Sequence, residues 1–145
     1  MRYWDASAVV PLLLVEPASQ DMRRLIDAEP SIVTWAWTAV EITGAIECRA
    51  REGAIDRARR RVALDRLARL AQGWDEVTDV LAVRRRATGL LARHPLRAAD
   101  AGQLAAALLI APETGGALSF VCLNRRLSTA AEREGLRPLP NPDPL

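Results

Sequence analysis

Three acids stand at the edges of apolar elements. Asp5 follows Tyr3–Trp4 and precedes "ASAVVPLLLV", Glu41 lies in "WTAVEITGAI", and Asp100 lies in "LRAADAGQLAAALL". A fourth apolar run, "SFVCL", ends where the same logic asks for another acid, and the chain supplies Asn124. Carboxylates packed side by side repel one another unless a cation neutralises them. Oxygen ligands without His or Cys select Mg²⁺ or Mn²⁺ over Zn²⁺. Such an ion lowers the pKa of a bound water, orients a phosphodiester and stabilises the leaving oxygen. Each residue also has a plainer use. Asp5 can cap a helix, Glu41 can complete a T-x-x-E capping box with Thr38, Asp100 can complement a helix dipole, and Asn124 can sit in a turn. The case for chemistry rests on whether the fold brings them together.

The elements that would do so alternate along the chain. Strands are expected at Arg2–Trp4, Ile32–Trp35, Glu76–Thr78, Phe120–Leu123 and Arg137–Leu139. Helices are expected over Ala8–Leu14, Asp21–Asp27, Thr38–Arg51, Ile55–Gln72, Val80–Arg93, Ala98–Ile110 and Leu127–Glu134. Strands alternating with helices of this length predict an α/β domain with a mostly parallel five-stranded sheet flanked by helices. In such sheets, sites form outside the carboxyl ends of the strands. Asp5 and Asn124 each follow a strand there, Glu41 lies in the first turn of the helix after the second strand, and Asp100 opens its helix. All four therefore point to one crevice.

The 145 residues suit one domain, residues 1–145, with a proline-rich tail from 137 to 145. No apolar run approaches the roughly 20 residues of a membrane span, and the start of the chain does not read as a signal peptide, so a cytoplasmic protein is expected. All 20 basic residues are Arg. Eight arginines face three acids between Arg49 and Arg69, and Arg84, Arg85 and Arg86 form a second cluster. These are either solvated helix faces or faces that meet RNA phosphates. Cys48 and Cys122 are not spaced as a metal knuckle, and Cys122 is expected to be buried. His94, before Pro95, is expected in a loop, which leaves a His-based dyad only one exposed member. No Gly-rich phosphate loop is present, so no nucleotide cofactor is expected.

The motifs "YWDASAVVPLLL", "TAVEITGAIECRAREG", "LRAADAGQLAAALL" and "FVCLNRRLSTAAEREGL" together resemble those of PIN-domain ribonucleases of the VapC toxin type, over nearly the whole chain. The resemblance implies a PIN-like fold and a Mg²⁺- or Mn²⁺-dependent endoribonuclease that leaves a 5′-phosphate and a 3′-hydroxyl. It also implies a cognate VapB-type antitoxin and a homodimer. Asp5, Glu41 and Asp100 fall on the family's first three acidic positions and would hold the metal. Ser7 and Thr38 fall on positions that support the site, and Arg125 and Arg126 would neutralise RNA. Trp35, Trp37, Leu12 and Leu13 are candidates for the antitoxin groove.

The departure is Asn124, where the family usually carries Asp. Asn124 then positions a water or a phosphate rather than adding charge, and the expected outcome is a one-metal site with retained activity. Glu113 and Asp143 are the candidates in sequence to replace it. The alternative is a catalytically weak PIN-like module that binds RNA or protein. A phosphoacceptor domain also clusters acids on an α/β sheet, but it needs a late Lys that this chain lacks.

Overall fold

The structure, a computed structural model, describes residues 1–141. Five strands, β1 (Arg2–Trp4), β2 (Ile32–Trp35), β3 (Asp75–Val77), β4 (Ser119–Val121) and β5 (Arg137–Leu139), form one sheet in the order β3-β2-β1-β4-β5. Every pairing is parallel, so the expected mostly parallel sheet is wholly so. Between the strands run α1 (Ala6–Leu13), α2 (Ser19–Ala28), α3 (Thr38–Arg51), α4 (Arg57–Gly73), α5 (Val80–Arg93), α6 (Ala98–Ile110) and α7 (Arg125–Arg133). A short 3₁₀ turn, Ala111–Thr114, follows α6 and was not anticipated.

Both faces of the sheet are covered, as a parallel sheet requires. Successive residues of each strand serve opposite layers. Trp4, Ile32 and Val121 pack with Val9, Met22, Ile42 and Leu67 from α1–α4, whereas Tyr3, Val33 and Phe120 pack with Leu90, Leu104 and Leu127 from α5–α7. The chain winds from β1 outward to β2 and β3, then crosses back to β4 and β5. Strand order therefore reverses beside β1, between β1 and β4, which is where α/β sheets open a crevice at their carboxyl ends.

Several boundaries differ from expectation for local reasons. α1 begins at Ala6 rather than Ala8 because Asp5 caps it, and α7 begins at Arg125 rather than Leu127 because Asn124 caps it. β4 ends at Val121, since Cys122 and Leu123 already turn toward that cap. Gly135 permits the tight turn from α7 into β5 with φ of 91°, a conformation costly for other residues. Arg137–Leu139 belongs to the sheet, and the last four residues of the expected tail, 142–145, lie outside the described residues. None of the described helices is long and apolar enough to cross a membrane.

Candidate active site

Asp5 leaves the end of β1 with its N–H on the Val121 carbonyl at 2.9 Å, which ties β1 to β4 at the switch point. Its Oδ2 accepts the Ser7 backbone N–H at 3.1 Å and the Ser7 hydroxyl. Ser7 Oγ in turn accepts Leu123 N–H at 3.0 Å, and the Cys122 thiol stands 3.6 Å from Asp5 Oδ2. Burial pushes the Asp5 pKa up; the Ser7 hydrogen bonds oppose this, and the charge of Asp100 adds to it. Cys122 is buried as expected, but it is also a wall of the site. Burial and the Asp5 charge push its thiol up to about 12, so it remains S–H.

Glu41 sits in the first turn of α3, partly buried. Its Oε2 accepts from Gln103 Nε2 at 3.3 Å, while its buried Oε1 has no partner. Burial raises its pKa to about 7; the Gln103 amide opposes this, and the charges of Asp5 and Asp100 add to it. The Trp35 indole N–H, which has no hydrogen-bond partner, also opposes the rise slightly. The expected capping box is not formed. Trp37 occupies the N-cap without a side-chain bond, and Thr38 is the first helical residue. Thr38 is fully buried, and its hydroxyl turns inward to Thr34 Oγ1 at 2.6 Å and Gln103 Nε2 at 3.1 Å. Buried polar partners outcompete the cap.

Asp100 is the third residue of α6 and partly exposed. Gln103, one turn later on the same helix face, is fully buried and accepts from the Tyr3 hydroxyl at 2.7 Å. Sequence reasoning missed Gln103. Its signal was an amide at a core position of "AGQLAAALL", three residues after an acid. The crevice thus draws on both layers, α3 from one and α6 from the other. The raised pKa values of Asp5 and Glu41 come first from burial, with the charge of Asp100 adding to both.

Asn124 caps α7 through Oδ1, which accepts Leu127 N–H at 3.1 Å. One lone pair of that oxygen serves the helix, and the other and the amide N–H₂ stay open to a water or a phosphate. Arg125 and Arg126 follow it, exposed. Glu113 does not replace the missing acid: it lines a cavity with Met1, beside the amino end of β1. Asp143 lies outside the described residues. His94 is not exposed. It is the buried C-cap of α5, with Nε2 2.7 Å from Glu134 Oε1, because this carboxylate also serves Arg93 at 3.0 Å and draws the imidazole inward. Of the groove candidates, Leu13 lines a largely apolar groove of about 540 Å³ on the α1–α4 side, and Leu12 and Leu13 line a second groove there with Arg23, Asp27, Arg66 and Arg69. Trp35 instead lies against Gly102, and Trp37 stands exposed at the start of α3.

Among the described residues, no three His, Cys, Asp or Glu side chains converge as a ready metal cage. The expected three-ligand set therefore does not close on one point; Asp100 acts on Asp5 and Glu41 through its charge. Mg²⁺ does not demand such closure, since it keeps several waters and takes one or two carboxylates plus phosphate oxygens. The oxygen-only donors and the unpartnered Oε1 of Glu41 fit an ion of that kind.

No protein-family model matches the sequence, and no curated protein matches it. Solved structures share its fold. FitAcB from Neisseria gonorrhoeae superposes with a TM-score of 0.68 at 15% identity, covering 95% of this chain and 96% of that one. The fold is PIN-like. A chain from a toxin-antitoxin complex of Klebsiella pneumoniae gives a TM-score of 0.62 at 14% identity over 88% and 90% of the two chains. PAE2754 from Pyrobaculum aerophilum gives 0.61 at 22% identity over 95% and 89%. At these identities the likeness is one of PIN-like architecture.

Proposed function

We propose that this chain is a Mg²⁺- or Mn²⁺-dependent endoribonuclease, the toxin of a VapBC-type toxin–antitoxin pair. One observation carries the reading: Asp5 and Glu41 are buried acids at the switch point of the sheet, the charge of Asp100 adds to the effect of burial on both, and one buried Glu41 oxygen is left unpartnered. The likeness to a chain from a toxin-antitoxin complex supports the toxin role. Folds keep such unfavourable charge where a ligand relieves it.

The divergence among the three acids suits different duties. Asp5, fixed by Ser7 and Cys122, is the rigid ligand. Glu41 offers Oε1 to the ion or to the attacking water. Asp100, partly exposed, reaches the ion directly or through water. A bound Mg²⁺ or Mn²⁺ supplies charge neutralisation and an acidified water. Asn124 contributes its side-chain N–H₂ to a phosphate oxygen, since its carbonyl serves the helix, and Arg125 and Arg126 neutralise the RNA backbone. In-line attack leaves a 5′-phosphate and a 3′-hydroxyl. The antitoxin would lay an apolar segment in the groove at Leu13, Leu14 and Ile55, rimmed by Arg49, Arg59 and Arg66.

The test is cleavage of end-labelled RNA in Mn²⁺ and in EDTA, with the product ends mapped. Cleavage only with the cation, giving 5′-phosphates, is expected. Binding of RNA without cleavage would instead favour the weak module that Asn124 suggests, and cleavage in EDTA would contradict both readings.

A further inference from the structure

Four buried side chains, Tyr3, Thr34, Thr38 and Gln103, form a hydrogen-bonded chain beneath the crevice, and proton counting gives it one polarity. Each hydroxyl has a single proton to give, and a carbonyl has none. Thr34 Oγ1 lies 2.8 Å from the Trp4 carbonyl, so the Thr34 proton goes there. The 2.6 Å contact between Thr34 Oγ1 and Thr38 Oγ1 must then use the proton of Thr38. Having given it, Thr38 Oγ1 can only accept, and its two lone pairs take the Trp35 backbone N–H at 3.3 Å and a group 3.1 Å away that must be an N–H of Gln103.

The amide of Gln103 is thereby oriented. Its Nε2 faces Thr38 and, at 3.3 Å, Glu41 Oε2, and its Oε1 accepts the Tyr3 hydroxyl at 2.7 Å. The flipped amide would set an oxygen against a carboxylate oxygen and against a hydroxyl with no proton left. We infer that Gln103 is a positioning residue of the crevice: an amide donor, held in register by Tyr3 and the two threonines, that pins Oε2 of Glu41 and reserves Oε1 for a divalent cation. Its bearing on the cation rests on the function proposed above; the orientation of the amide does not.

Two measurements test it. Nitrogen-15 NMR of the metal-free protein follows the Gln103 side-chain amide, with exposed Gln20 as the internal reference. The Gln103 amide protons should exchange roughly tenfold or more slowly than those of Gln20, as buried bonded donors do, and should shift in Glu41→Gln. Calorimetry should show Mn²⁺ binding weakened roughly tenfold or more in Gln103→Met and unchanged in Gln20→Met, as expected when a residue that orients a ligand is lost. Exchange at the Gln20 rate, or a resonance unmoved by Glu41→Gln, would overturn the orientation even if Gln103→Met fails to fold. Wild-type Mn²⁺ affinity in Gln103→Met would overturn the positioning role. Wild-type protein that takes up no Mn²⁺ would overturn the proposed function and the role toward the cation, while the amide signal still decides the orientation.

Discussion

Asp5 serves as helix cap and buried acid at once, and these two uses are compatible because a cap needs an acceptor while a cation needs a charge. Glu41 shows the cost of the second use. Its folded pKa of about 7 lies above the ordinary 4.5, so the folded state holds a proton the unfolded state gives up. Stability from this group is therefore intact below pH 4.5, declines as pH rises toward 7, and stays reduced above that. Metal-free wild-type protein should lose on the order of 1 kcal/mol between pH 5 and pH 8 relative to Glu41→Gln, after discounting for solvent at a partly open site. Urea denaturation at the two pH values checks this; parallel pH trends in both proteins would contradict it.

At the scale of elements, α7 carries the clearest test of what Asn124 does. Asn and Asp cap helices about equally well, whereas Ala does not. Asn124→Asp should tighten Mn²⁺ binding, because it adds a charge beside the crevice, and should leave stability unchanged in saturating Mn²⁺, where the ion neutralises that charge. Asn124→Ala should cost about 1 kcal/mol in denaturation through the lost bond to Leu127. Stability that falls in Asn124→Asp in saturating Mn²⁺ would show that the amide is needed for more than the cap. The elements themselves were largely legible: all five strands and all seven helices follow from apolar runs, periodicity and stop signals. Illegible features were those set by tertiary contacts. Thr38 looked like a cap because T-x-x-E is a local pattern, yet its hydroxyl is claimed by Thr34 and Gln103 from other parts of the chain. His94 looked exposed beside Pro95, yet Glu134, distant in sequence, holds it inside.

At the scale of the whole molecule, two layers of helices converge on one edge of one parallel sheet, and their acids repel across it. That repulsion links cation binding to folding, since an ion that binds only the folded chain stabilises it by mass action. Addition of Mn²⁺ should raise the thermal midpoint more at pH 8 than at pH 5.5, where protons already neutralise Glu41 and compete with the ion. An equal rise at both pH values would place the ion elsewhere. The central claim, a cation held at the switch point by Asp5, Glu41 and Asp100, is met most directly by calorimetric titration of Mn²⁺ into wild type and Asp5→Asn. This substitution keeps the cap of α1 and removes one charge. Saturable binding in the wild type, weakened tenfold or more in Asp5→Asn while that variant stays folded, is the predicted result. No binding in the wild type, or equal affinity in both proteins, would contradict the account.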